Sequence, residues 1–140
     1  MNSEEQEALQ TLLETWEESP ANIRKGFLQL KEHLASKAEA RLAFKARPGV
    51  SYSLRAACPG HDRELFVMVD VIDDDPANRW LSVCFYGDMI SDPEERGDLI
   101  PGGLLGEDGY CFDMDEEEES LTAYLLARID EAHRSAAAGA

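Results

Sequence analysis

The sequence is poor in cysteine, in basic residues and in long apolar runs. Its three cysteines are an odd number and too few for a disulfide framework, so we expect reduced thiols. Leu65–Val69 is among the longest apolar runs and is far shorter than the roughly 20 residues of a membrane span. Residues 1–5 contain neither a basic nor an apolar signal region. These features together predict a cytoplasmic protein that does not contact a membrane.

Acidic residues outnumber basic ones by 29 to 13, and they are unevenly distributed. Residues 21–69 carry a net charge of +5, whereas residues 70–119 carry −15. The total of −16 disfavours nucleic acid as a partner. A hydrophobic fraction of 44% over 140 residues is enough for one real core. We therefore predict a single α+β domain over residues 1–134, followed by a frayed tail over residues 135–140.

The chain is organised around residues 64–86, where two apolar runs flank an acidic turn. The runs, Leu65–Ile72 and Arg79–Tyr86, are short, β-branched and aromatic, as buried strands are. Six residues separate them, which is too few for a parallel crossover. The two runs are therefore predicted to form an antiparallel hairpin.

Two helices are predicted before the strands and one after them. The first is acidic and the second basic, so we expect these two to pair as an antiparallel hairpin. The apolar residues at helical spacing are Leu9, Leu12, Leu13 and Trp16, then Ile23, Phe27, Leu30 and Leu34, and finally Leu121, Leu125, Ile129 and Ala132. A short strand over residues 110–114 precedes the last helix. The predicted fold is thus an α+β two-layer sandwich with an N-terminal helical hairpin, a five-stranded mainly antiparallel sheet and a C-terminal helix.

Alternating residues over 40–46 and 50–56 predict two half-buried strands joined by a Pro-Gly turn. A two-residue turn would place Phe44 opposite Ser53 and turn one apolar side outward. A three-residue loop would place Phe44 opposite Tyr52 instead. Burial of each large side chain is worth roughly 1.5–3 kcal/mol, so we predict the second register.

The polar side of these two strands is basic. It carries Arg41, Lys45 and Arg55. We expect this basic band to project away from the core, where an anionic partner or the acidic face of a second copy would dock.

The second face of the central hairpin is mixed, and we take it as the candidate ligand site. Its residues combine apolar bulk with polar anchors, which is typical of a ligand groove: Phe66, Met68, Asp70, Trp80, Cys84, Tyr86 and Asp88. Residues 87–109 are too many for a plain connection. They mix apolar residues with glycine and proline, so we expect an irregular, ordered loop over this face, as a lid or as core filling.

Cys58 and His61 are the closest pair of metal-capable or nucleophilic side chains. A structural zinc site needs four ligands, and the sequence offers no second pair at similar spacing. As a nucleophile and base, the two residues lack any recognisable oxyanion hole. We therefore predict neither a resident cofactor nor a catalytic residue.

The second half of the chain is similar to small uncharacterised bacterial α+β domains. The similarity rests on Tyr86-Gly87-Asp88, on Asp92-Pro93 and on residues 106–110. The order of helices and strands also resembles the frataxin-like sandwich, in which two helices cover an antiparallel sheet. That resemblance implies iron binding by acids of the first helix and first strand.

In this chain the implied iron ligands of the first helix would be Glu14, Glu17 and Glu18. The first strand departs from the pattern, because it carries Arg41 and Lys45 where acids are expected.

We therefore predict a non-catalytic cytoplasmic binding or protein-interaction module, whose partner is another protein or a second copy in a homodimer. The alternative is an acidic iron carrier of the frataxin type. A third hypothesis is an enzyme built on Cys58 and His61.

Overall fold

A computed structural model describes residues 1–138 and contains three helices and six strands. Their bounds are α1 Ser3–Thr15, α2 Ile23–Ala35, β1 Arg41–Arg47, β2 Ser51–Ala57, β3 Val67–Ile72, β4 Trp80–Tyr86, β5 Asp98–Leu104, β6 Glu107–Met114 and α3 Glu119–Ala137. The predicted class, α+β with two N-terminal helices and one C-terminal helix, is confirmed. The predicted number of strands is wrong, because residues 98–104 form a sixth strand. Residues 135–137 of the tail that was predicted to fray continue α3, with Ala136 buried, and residues 139 and 140 lie outside the described part.

The six strands form one antiparallel sheet in the order β1-β2-β3-β4-β6-β5. The predicted central hairpin is confirmed, with Val69 opposite Val83 and Val71 opposite Leu81. These four side chains are fully buried. Strand β5 lies outside β6 at the sheet edge, which is why Pro101 is tolerated there.

The register predicted for β1 and β2 is wrong by two residues. Phe44 pairs with Leu54 rather than with Tyr52. The observed register puts Pro48 and Gly49 at the two central positions of a turn closed by a hydrogen bond from the Val50 N–H to the Arg47 carbonyl (2.9 Å). Gly49 has φ +84°, as a type II turn requires after proline. A shift of two residues keeps every side chain on its predicted face, so burial alone does not select between these registers.

The helices contact one face of the sheet, and their apolar stripes meet its buried side chains. Phe112 of β6 packs edge-on against Tyr124 of α3, with ring centroids 6.1 Å apart. Helix α1 lies along edge strand β1, where Glu5 accepts a hydrogen bond from the Phe44 N–H (3.1 Å). Trp16, which follows α1, packs against Phe27 of α2. The residues that fill this core include Leu12, Phe27, Leu30, Leu34, Leu54, Val69, Val83, Phe85, Leu125 and Ile129.

Candidate interaction surface on the sheet

The opposite side of the sheet, here called the open face, keeps partial solvent exposure. The strand pairing arranges its side chains in rows that cross the sheet. The middle row is Lys45, Ser53, Asp70, Ser82 and Asp113. The row on one side is Ala43, Arg55, Met68, Cys84, Cys111 and Asp98. The row on the other side is Arg47, Ser51, Ile72 and Trp80.

The centre of the open face is apolar. Met68 and Ile72 of β3 and Trp80 of β4 are each half-buried, although their strand neighbours on the other face are fully buried. Half-exposed Trp and Met side chains surrounded by polar groups are typical of the middle of a protein-binding surface.

Asp70 is the carboxylate at the middle of this face. It is half-buried, and its Oδ1 atom has no hydrogen-bond partner among the described residues. Burial raises the pKa of Asp70, while a hydrogen bond with Ser53 and the charges of Arg55 and Arg47 act in the opposite direction. Asp70 is therefore a poorly compensated acceptor that a donor from outside the chain would satisfy.

One end of the open face, here called the basic end, consists of Arg41, Lys45, Arg47 and Arg55 on β1 and β2. None of these four has a carboxylate within 4.0 Å in the described part of the chain; Arg55 donates to the Ser53 hydroxyl (3.1 Å). Unpaired cations are conspicuous in a chain of net charge −16.

The other end, here called the acidic end, consists of Asp98 on β5 and Asp113 on β6, both exposed. Burial raises the pKa of Asp113, and the like charges of Asp98 and Asp115 raise it further. One end of this face thus carries cations without a carboxylate partner within residues 1–138, and the other carries carboxylates that repel each other, so the charge changes sign across the sheet.

Four of the seven predicted ligand-site residues share the open face, namely Met68, Asp70, Trp80 and Cys84. Phe66 does not, because it is fully buried on the helical side, with its ring 5.6 Å from that of His133 in α3. The other two predicted residues, Tyr86 and Asp88, lie at a corner of the sheet where Arg63 contacts both of them.

At that corner Arg63 covers Tyr86, with its guanidinium 4.1 Å from the ring centroid. The same guanidinium donates to Asp88 (2.6 Å) and to Glu107 (3.1 Å). Hydrogen bonds from Arg63 lower the pKa of Asp88, against a smaller opposite effect of burial. Tyr86 and Asp88, the two predicted ligand anchors, therefore already contact Arg63 of the same chain.

The prediction of an irregular loop over the mixed face is wrong, because residues 98–104 of this segment form edge strand β5 of the sheet. Met89 and Leu104 from this segment are buried in the core, whereas Leu99, Ile100 and Leu105 are exposed. The segment thus completes the sheet edge as strand β5 and leaves Met68 and Trp80 half-exposed.

The expectation of three reduced thiols is contradicted, because Cys84 and Cys111 are joined by a disulfide. The two residues are directly opposite each other on β4 and β6, with Cα atoms 4.2 Å apart. This is close to the spacing of the narrow pairs in an antiparallel ladder, about 4.5 Å. The sequence did not show which strand residues 110–114 pair with, so it did not predict that Cys111 lies opposite Cys84. The bridge lies on the open face beside Met68.

The weak metal and nucleophile candidates are not assembled into a site. Helix α1 ends at Thr15, so Glu17 and Glu18 lie beyond it, and Glu14 accepts a hydrogen bond from Gln10. No group of three or more His, Cys, Asp or Glu side chains among residues 1–138 is placed to hold a metal ion.

Cys58 is buried next to the turn that contains His61, whose N–H donates to the Cys58 carbonyl (3.3 Å). Burial, and secondarily the charge of Glu39, raises the pKa of the Cys58 thiol. This is the opposite of what activates a cysteine nucleophile.

Comparison of the chain with protein-family models, with curated proteins and with solved structures gives no match. None of the described helices has the length and apolar character needed to cross a bilayer.

Proposed function

We propose that this chain is a two-layer α+β sandwich that acts as a non-catalytic protein-interaction module, with the open face of its sheet as the docking surface. The observation that carries this proposal is the arrangement of half-exposed Met68, Ile72 and Trp80 between a basic and an acidic end. Apolar anchors at the centre of a charged rim are the general pattern of protein interfaces.

The charges support a protein partner over a small ligand. Charged rims steer association and fix orientation, and they need an extended partner that spans both ends of the face. Asp70, at the centre, adds an acceptor that the chain itself leaves incompletely satisfied.

A cytoplasmic location stays a prediction. Disulfides are rare in the reducing cytosol. The state of Cys84 and Cys111 in the purified protein therefore bears on it directly.

A site-specific photocrosslinker tests the docking surface. Ser82, half-buried in the middle row, is replaced by a benzophenone amino acid in cells that express the chain, and Gln29, exposed on α2, is replaced in a matched control. We expect a covalent adduct of defined mass from position 82 only. The substitution Met68→Glu, which introduces a charge into the apolar centre, should abolish the adduct while the protein stays folded. Equal adducts from both positions, or none from position 82, would contradict the proposal.

A further inference from the structure

We propose that the partner of the open face is a second copy of this chain, bound face to face around a two-fold axis that runs between the sheets, parallel to β3 and β4. This inference rests on the proposed function, because it names the occupant of the same surface.

The strand order determines which elements meet. A two-fold rotation about an axis parallel to the strands, centred between β3 and β4, lays β3 over β4, β2 over β6 and β1 over β5 of the second copy. Two sheets stacked in this way are aligned and about 10 Å apart, as in β-sandwiches.

The charges select this axis. With the axis along the strands, the basic end of each copy covers the acidic end of the other. Ser53 then comes opposite Asp113 of the second copy, and Ala43 comes opposite Asp98 of the second copy. Arg41 and Lys45 flank Ala43 on the same side of β1, and their long side chains reach towards these carboxylates. An axis across the strands would instead stack each strand on its own copy, with cations over cations.

The apolar centre is complementary under the same rotation. Ile72 comes opposite Trp80 of the second copy, and Met68 comes opposite Cys84 of the second copy. Each contact occurs twice because of the symmetry. The pairing thus buries the half-exposed side chains in the middle and the charges around them.

The area is sufficient for a specific interface. Six strands about 4.8 Å apart make a face about 25 Å wide, and strands of this length extend about 20 Å. Each copy would therefore bury about 500 Å², or about 1,000 Å² for the pair, which is at the lower limit of specific interfaces.

Charge reversal at either end tests the geometry. We expect the wild-type chain to sediment as a dimer at tens of micromolar. The variants Arg41→Glu/Lys45→Glu and Asp98→Lys/Asp113→Lys change only exposed side chains, so both should stay folded. Each should weaken dimerisation at least about 100-fold, because like charges then face each other. A control with the same charge change as the first variant but at exposed positions of the helices, Lys25→Glu/Arg134→Glu, should stay dimeric.

Mixing the two charge-reversed variants is the decisive step. One variant carries acidic residues at positions 41, 45, 98 and 113, and the other carries basic residues at all four. Both end contacts of the mixed dimer therefore pair opposite charges, and the mixed dimer should form within about tenfold of the wild-type affinity. Dimers that persist in either variant, or folded variants that do not associate when mixed, would overturn the arrangement.

The tests separate this inference from the proposed function. The homodimer is overturned if the wild-type chain stays monomeric at 0.5 mM, a concentration on the order of the dissociation constants of the weakest specific dimers. If position 82 still crosslinks to a partner of another mass, the interaction module stands. If position 82 gives no adduct, both proposals fall.

Discussion

Asp92 accepts a hydrogen bond from the phenolic hydroxyl of Tyr124, which ties the segment between β4 and β5 to helix α3. The same carboxylate accepts from the backbone N–H groups of Arg96 and Gly97, each at 3.0 Å. Burial raises the pKa of Asp92, but these hydrogen bonds outweigh it and hold the pKa at about 2. The acid is therefore the attachment point of a segment with little regular structure of its own.

Replacement of Asp92 by asparagine should make the protein less stable in a pH-dependent way. A carboxylate whose pKa is lowered by folding stabilises the native state above its ordinary value of 3.8, and this stabilisation is lost as the pH falls towards 2. We expect Asp92→Asn to lower the free energy of unfolding by about 1–2 kcal/mol at pH 6, with allowance for solvent screening. The difference should shrink as the pH falls below 4 and be less than about 0.5 kcal/mol at pH 2, as measured by urea unfolding across this range.

The matched control is Asp74→Asn, which makes the same charge change at an exposed turn position. Its effect should stay within about 0.5 kcal/mol at pH 6. A loss in Asp92→Asn that is the same at every pH would contradict the electrostatic account and leave only a packing effect.

Asp73 and Arg79 form a nearly buried ion pair, with 2.7 Å between Asp73 Oδ1 and Arg79 Nε. The second carboxylate oxygen accepts from the Gly49 N–H (2.8 Å), so Asp73 joins the β1–β2 turn to the β3–β4 turn. Removal of one partner leaves the other charge buried without compensation. We expect Asp73→Ala to lower the free energy of unfolding by about 3 kcal/mol in urea.

Asp73→Asn should cost less than Asp73→Ala, because its amide oxygen keeps an acceptor for the Gly49 N–H and only the ion pair is lost. The exposed neighbour again serves as control, since Asp74→Ala should change stability by less than about 0.5 kcal/mol. Equal losses from substitutions at positions 73 and 74 would show that the pair does not stabilise the two turns.

The sequence predicted the central hairpin because its two runs are apolar, β-branched and separated by too few residues for any other connection. Strand β5 was not predictable in the same way, because Pro101 and three nearby glycines are typical of irregular structure. An edge strand tolerates them, but nothing local shows that residues 98–104 lie at an edge. The position follows only from the non-local pairing of β6 with β4.

The candidate surface was predictable in part for the same reason. Alternation along β3 and β4 predicted that Met68, Asp70 and Trp80 share a face, and it indicated the basic band on β1 and β2. The acidic end depends on where β6 and β5 lie relative to these strands. Alternation alone also placed Phe66 on the wrong side, since it precedes the first residue of β3 and turns towards α3.

Asp70→Asn should make the protein more stable at neutral pH. Burial raises the pKa of Asp70, so the native state holds its proton more strongly than the unfolded chain. The charged carboxylate therefore lowers the stability of the native state. This loss of stability is absent below pH 3.8 and reaches its full size once the pH is above the native-state pKa of Asp70. We expect a gain on the order of 1 kcal/mol at pH 7 and none near pH 3. Urea unfolding at equal protein concentrations measures it, and a loss of stability at pH 7 would contradict it.

The number of reactive thiols in the unfolded, unreduced protein should be one per chain. Cys84 and Cys111 are joined, so only Cys58 should react with a thiol reagent in denaturant, and all three should react after reduction. In the native state the Cys58 reaction should be at least about tenfold slower than in the unfolded chain, because the thiol is buried and its pKa is raised. Three reactive thiols before reduction would restore the expectation of a reduced protein, and with it the support that the cysteines give to a cytoplasmic location.

If one thiol reacts, Cys84→Ser/Cys111→Ser should cost about 3 kcal/mol of unfolding free energy in the loop-entropy model, since the bridge closes a loop with a sequence separation of 27.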